Sequence, residues 1–165
     1  MSYWITTDTH FNHQMLIDIK SRPANFEMII KKRLIELIKP EDILIHLGDV
    51  CIGNDKENNQ WFKDNLKCKT ILVKGNHDHK SYSWYLKNGW DFVCERFDLD
   101  MYGKRYCFTH KPVPWDGEFN VNVHGHFHNT DHRRFDPQFN KILSGYNKLI
   151  ALENNNYKPV NLKTL

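Results

Sequence analysis

The sequence predicts an α/β domain in which parallel strands joined by helices give way to a β-rich second half. Three observations carry this. Apolar, β-branched runs at Tyr3 to Thr7, Ile43 to Leu47 and Thr70 to Lys74 alternate with helical stretches, the pattern of strands linked by right-handed crossovers. Each run stops at a polar tip: Asp8-Thr9-His10, Gly48-Asp49 and Gly75-Asn76-His77-Asp78. After residue 90 the pattern turns to short strands with Gly and Pro at the turns.

Length and composition bound the rest. The chain has 165 residues, 40% hydrophobic and 26% charged, which suits one domain over residues 1–165 with a real core. A net charge of +3 with scattered basic residues gives no expectation of tight duplex nucleic-acid binding. Cys51, Cys68, Cys94 and Cys107 form no Cys-x-x-Cys pair, so free thiols are expected. The N-terminus does not read as a signal peptide, and no apolar stretch approaches the ~20 residues of a membrane span. These features predict a protein of a reducing cytoplasm, the host's cytoplasm if the gene is a phage's.

Element by element, Tyr3 to Thr7 is a strand. Asp8 and His10, two apart, share one face if the backbone stays extended; an Asp turn with an incidental histidine is the alternative. Phe11-Asn12-His13 comes next, with His13 placed to line the same opening. Arg22-Pro23 breaks the chain, and Arg22 is a candidate phosphate contact. Phe26, Ile29, Ile30, Leu34, Leu37 and Ile38 recur at helical spacing and stop at Pro40, an amphipathic helix laid on a sheet. Ile43 to Leu47 is a buried-strand run ending in Gly48-Asp49. Residues 54–66 are weakly helical and lead into the strand Thr70 to Lys74, after which Gly75 is expected to let the backbone turn sharply out of the sheet.

A short helix at Tyr82 to Leu86 ends near Asn88-Gly89. Strands are then expected at Phe92–Cys94, Asp98–Tyr102, Arg105–Thr109, Asn120–Val123, Lys141–Leu143 and Lys148–Leu152, forming a second sheet, with a hairpin turn over residues 101–105. Tyr157 to Leu165 suits a last edge strand, since it contains Pro159. Trp115, in the loop after His110, is a candidate for stacking on a nucleobase, with loop packing as the alternative.

Ten histidines are too many to pass over, and seven of them, His77, His79, His110, His124, His126, His128 and His132, fall between residues 77 and 132. Collected at strand ends are Asp8, His10, Asp49, Asn76, His110, His126 and His128. Mixed imidazole, carboxylate and amide donors without cysteine suit Mn²⁺, Fe²⁺ or Zn²⁺ rather than a structural zinc. Seven donors exceed the needs of one ion. With one carboxylate bridging they serve two ions about 3.5–4 Å apart, the spacing of two-metal phosphoryl-transfer sites. His124 reads as a packed strand histidine, and His46 and His79 as supporting or ordinary polar residues.

Asp8-x-His10, Gly48-Asp49, Gly75-Asn76-His77-Asp78, His110 and Gly125-His126-x-His128 stand in the order that defines the calcineurin-like metallophosphoesterases, and the chain resembles that family over roughly residues 5 to 128. With Phe11 after His10, Arg22-Pro23 nearby and His13 in a short loop, it is most similar to the small single-domain bacterial and phage members. The resemblance implies a four-layer α/β/β/α sandwich of two mixed sheets with two divalent ions at the strand ends, manganese first, with iron, zinc or nickel as alternatives. Asp8, His10 and His128 would hold one ion, Asn76, His110 and His126 the other, and Asp49 would bridge. A metal-bridging hydroxide would attack a small, nucleotide-like phosphodiester. His77 would stabilise the phosphoryl oxygens or protonate the leaving group, and Asp78 would orient His77 or cap the next helix. His13, Arg22, Asn76, His77 and Trp115 are the residues expected to meet substrate. Gly48-Asp49 continues as Val50-Cys51-Ile52-Gly53 rather than as the extended motif of the Ser/Thr protein phosphatases, which makes phosphoprotein a poor substrate. The alternatives are a phosphomonoesterase acting on a small metabolite, or an interaction module that keeps the fold without turnover, as the retromer subunit of this fold does.

Overall fold

The computed structural model describes residues 1–129, 139 and 143–165. Strand β1 (Tyr3–Thr6) is followed by the short helix α1 (Gln14–Asp18) and by α2 (Phe26–Leu37), then β2 (Ile43–His46), α3 (Asp55–Asn65), β3 (Lys69–Val73), α4 (Tyr82–Lys87) and β4 (Phe92–Cys94). The second half supplies β5 (Arg96–Met101), β6 (Lys104–Thr109), β7 (Val121–His124) and β8 (Asn147–Leu149). The chain closes with a 3-10 turn at Leu152–Asn155, β9 (Val160–Asn161) and a second 3-10 turn at Leu162–Thr164. The strand expected at Lys141 to Leu143 falls largely outside the described residues, as does His132.

Two mixed sheets result. The first runs β4-β3-β2-β1-β9 and the second β5-β6-β7-β8. β1 through β4 pair in parallel, with Ile5 opposite Ile45 and Ile45 opposite Ile71, and β9 lies antiparallel on the edge. Phe92–Cys94 corrects the sequence reading: it belongs to the first sheet, because α4 is the crossover of a third βαβ unit that returns the chain beside β3. Edge strand β9, with Pro159 before it, is where the sequence puts it. In the second sheet β5 and β6 form the expected hairpin, turning at Tyr102 and Gly103, both with positive φ.

Packing explains the layers. Phe26, Ile30 and Leu34 of α2 are fully buried at four-residue spacing, and they meet Leu44, Leu72, Phe62, Tyr85 and Trp90 on the helix-covered face of the first sheet. On its other face Ile5, Ile45, Leu47 and Val73 pack against Tyr106, Phe108, Val123 and Ile150 of the second sheet. Each such side chain contributes roughly 1.5–3 kcal/mol on burial. This sheet-to-sheet contact brings the C-terminal ends of β1, β2, β3, β6 and β7 to one edge. The four cysteines are free, and three of them are buried.

Candidate metal centre

The donors reach their common point by turns in the backbone. Asp8 (φ +48°), His10 (+46°), Asp49 (+58°), His126 (+71°) and His128 (+51°) all lie in the left-handed region. The extended spacing expected to put Asp8 and His10 on one face is therefore corrected: β1 ends at Thr6, and the side chains converge because the chain coils after it. Such conformations cost of order 1–3 kcal/mol each. Here the loops after β1 and β2 hold one another, with Asp8 N–H donating to Gly48 O (2.8 Å), His10 N–H to Asp49 O (3.1 Å) and Phe11 N–H to Val50 O (3.0 Å).

Gly75 is corrected as well. Its φ is not positive; what requires glycine is close approach, because a Cβ there would strike the Asp49 carboxylate. Gly48 does have positive φ, +96°, and a Cβ on it would run into the backbone of Gly75. The two glycines pack face to face and set Asp49 between the strand ends.

One group of donors is Asp8, His10 and His128. Asp8 Oδ2 accepts from Thr7 Oγ1 (2.5 Å) and from the backbone amide of His126 (2.9 Å). Asp8 Oδ1 is buried and accepts nothing among the described residues; it stands 3.7 Å from His10 Nε2 and 3.7 Å from His128 Nε2. Buried polar atoms normally find partners, so a lone carboxylate oxygen facing two imidazoles fits a divalent cation. Burial works to raise the Asp8 pKa, but contact with His10 and the charges of His110 and His128 hold it well below the usual carboxylate range.

The other group is Asp49, His110 and His126, joined by Asn76. His110 Nδ1–H donates to the carbonyl of Leu47 (2.7 Å), which leaves Nε2 with its lone pair. That atom lies 3.1 Å from Asn76 Oδ1, 3.1 Å from His126 Nδ1 and 3.3 Å from Asp49 Oδ2. Electron-rich atoms this close are reconciled only by a proton or a metal ion between them. In the metal-free protein burial disfavours the His110 proton, yet hydrogen bonding to Asp49 and the charges of Asp8 and Asp49 prevail and push its pKa up to about 9.

Asp49 lies between the groups. Its Oδ1 accepts the amide of His77 at 2.8 Å, while Oδ2 stands 3.3 Å from His110 Nε2, 3.7 Å from His10 Nε2 and 4.0 Å from His77 Nε2. The His77 ring is half-exposed at the mouth, edge-on to His10 with centroids 5.4 Å apart. Burial, then the nearby His10 and His79, lower its pKa against the pull of Asp49. His13 is beside it, with Nδ1 3.3 Å from His10 Nδ1.

Two residues make other contacts than the sequence suggested. Asp78 neither caps α4, which Ser81 does, nor touches the His77 ring; its carboxylate accepts the amides of Gly75 (2.8 Å), Asp49 (2.8 Å) and Val50 (3.2 Å). Arg22 is buried, with Nε and Nη2 on Glu153, Nη1 on the Thr9 carbonyl and Nη2 also 3.3 Å from His128 Nδ1, so its donors are taken up behind the His128 ring. Trp115, in the loop after β6, is 57% exposed, donates to Phe119 O and lies beside Tyr146. His124 is the buried last residue of β7, outside both donor groups. Sequence reasoning missed Glu153, whose Oε1 is 3.0 Å from His128 Nδ1. A carboxylate 25 residues from its histidine, in a polar turn, carries no local signal.

Two sheets with cation-binding donor groups gathered at one edge define a metal-binding α/β sandwich. The chain belongs to the calcineurin-like phosphoesterase family, whose sequence model matches residues 1–162. It is 28% identical over 170 residues to the uncharacterized protein MJ1445 of Methanocaldococcus jannaschii, covering 96% of this chain and 86% of that one. Among solved structures it is similar to AQ665 of Aquifex aeolicus, a protein of unknown function, with 26% identity, a TM-score of 0.77 and coverage of 99% and 96% of the two chains. The fold is also that of the phosphoesterase Yfce of E. coli, with 18% identity, a TM-score of 0.50 and coverage of 78% and 70%.

Proposed function

We propose that the protein hydrolyses a small, nucleotide-like phosphodiester at a centre of two divalent cations, manganese the first choice. Asp8, His10 and His128 would hold one ion, Asn76, His110 and His126 the other, with Asp49 placed to serve both. The observation that carries this is the placement of Asp49 Oδ2, 3.3 Å from His110 Nε2 in one donor group and 3.7 Å from His10 Nε2 in the other. Bound there, two cations would supply Lewis acidity, lowering the pKa of water and neutralising charge on phosphorus oxygens.

The chain's own residues do the rest. The Asp78 carboxylate and the paired loops keep Asp49 and Asn76 in register. His77, with its lowered pKa, presents a neutral imidazole at the mouth that can donate one N–H to a phosphoryl oxygen or to the leaving oxygen. A cleft of about 360 Å³ opens beside Asn76 and His110, with Lys74, Arg96 and Lys111 in its walls. It gives one ester group a seat while the His13–His77 side takes the other, which favours a diester over a monoester and a small substrate over a large one.

The test is turnover of a chromogenic bis-aryl phosphate by the Mn²⁺-loaded protein. Activity that falls by orders of magnitude in Asp49→Asn supports the reading; an inert loaded protein, or an Asp49→Asn variant as active as the parent, overturns it.

A further inference from the structure

Behind His128 lies a buried charged assembly outside the seven donors. Glu153 comes from the 3-10 turn after β8, and its Oε1 collects Arg22 Nη2 at 2.7 Å, Arg22 Nε at 2.9 Å and His128 Nδ1 at 3.0 Å. Arg22 Nη1 donates to the Thr9 carbonyl at 3.1 Å, in the loop between Asp8 and His10. The guanidinium is closed in by the rings of Phe26 and Tyr157, at 5.1 and 6.0 Å, and both charged side chains are sealed, at 0% and 3% exposure.

Two features show that this is more than a stabilising ion pair. Buried ion pairs are seldom a net source of stability, because desolvation offsets the attraction. Arginine and carboxylate also normally pair as a two-pronged fork, whereas here the three nitrogens that reach Glu153 converge on Oε1, and Oε2 stays buried without a partner among the described residues. The oxygen favoured is the one facing His128. His128 Nδ1 faces Glu153 Oε1 at 3.0 Å and, farther off, Arg22 Nη2 at 3.3 Å; with Nη2 already given to Oε1 at 2.7 Å, the nearer full negative charge keeps the proton on Nδ1. The Nε2 lone pair then faces the unpartnered Asp8 Oδ1, 3.7 Å away. His110, in the other donor group, has only a neutral carbonyl in the equivalent position.

We infer that Glu153, clamped by Arg22, is a positioning residue that fixes the tautomer and orientation of His128, and so selectively supports the cation held by Asp8, His10 and His128. This rests on the two-cation reading above. Carboxylates that hydrogen-bond a ligating imidazole act in this way, and losing one typically costs 10–100-fold in metal affinity.

The experiment is calorimetric titration of the metal-free protein with Mn²⁺, for the wild type, Glu153→Gln and the double variant Arg22→Met/Glu153→Gln. The double variant removes both charges together, so no buried charge is stranded if the single variant folds poorly. The expected result is two ions on the wild type, and in the folded double variant one ion bound about 10–100-fold more weakly with the other unchanged. Wild-type affinity for both ions in that variant would overturn the inference. Equal weakening of both ions, with a lowered unfolding temperature of the metal-free protein, would overturn it too, leaving only a scaffold role. A wild type that takes up no ions instead contradicts the two-cation reading itself, and that is read on the unmutated protein.

Discussion

Asp78 Oδ2 accepts the backbone amide of Asp49 at 2.8 Å, and the same carboxylate takes the amides of Gly75 and Val50. One side chain after β3 thus ties down the loop after β2, and the residue it anchors carries the oxygen that stands 3.3 Å from His110 Nε2 and 3.7 Å from His10 Nε2. Replacing Asp78 with Ala strands three amides in a buried site. At roughly 1 kcal/mol or more for each, the metal-free protein should lose about 3 kcal/mol, or roughly 6–12 °C in unfolding midpoint for a chain of this size. Thermal unfolding checks this, and a loss below about 0.5 kcal/mol, the range of an ordinary surface change, contradicts it.

His77 touches the site without belonging to either donor group. His77→Ala should keep both ions, seen as unchanged Mn²⁺ stoichiometry, and lose about 10²–10⁴-fold in kcat, the usual worth of a positioned proton donor. A variant that sheds an ion would instead make His77 a ligand.

Metal uptake should depend on pH. His110 is held protonated up to about 9 in the metal-free protein, since its contact with Asp49 outweighs burial. An ion must displace that proton, so the apparent affinity should rise with pH towards about 9 and binding should release a proton. Calorimetry in two buffers of different ionisation enthalpy counts the protons; a count of zero at about pH 7 contradicts the assignment of His110 as a ligand.

His46 sets a second pH effect, on stability. Its ring is buried, with Nδ1 accepting the Gly48 amide at 3.1 Å and Nε2 facing Thr9 Oγ1 at 2.9 Å. Burial is the main cause that pushes its pKa down to about 3. The unfolded chain therefore takes up a proton below about 6.5 that the folded one refuses. The contribution is fully present above about pH 6.5 and is lost as pH falls from there towards 3, by up to ~1.4 kcal/mol per pH unit. Urea unfolding of the metal-free protein from about pH 7 to 4 should show the slope, and His46→Gln should flatten it by up to one proton.

Much of the site was legible because its donors end strands. Apolar runs announce β1, β2, β3, β6 and β7, and the polar residues just past each run must gather at one edge of a sheet. How the gathering happens was not legible. Alternation along an extended chain suggested a shared face for Asp8 and His10, whereas left-handed turns aim them, and Gly75 serves a close approach that no turn propensity reveals. Arg22 and Asp78 have the chemistry of substrate and catalytic groups, yet their partners are Glu153 and three backbone amides, which only the packing of distant segments supplies. Phe92–Cys94 reads as the start of the β-rich half, and its sheet is decided by the short crossover before it.

The central claim is that Asp49 bridges two cations. Anomalous scattering from Mn²⁺-loaded crystals, collected at the manganese edge, tests it most directly. The account predicts two peaks, one among Asp8, His10 and His128 and one among Asn76, His110 and His126, with Asp49 Oδ2 within bonding distance of both. A single peak, or ions that leave Asp49 Oδ2 without a bond, would contradict it.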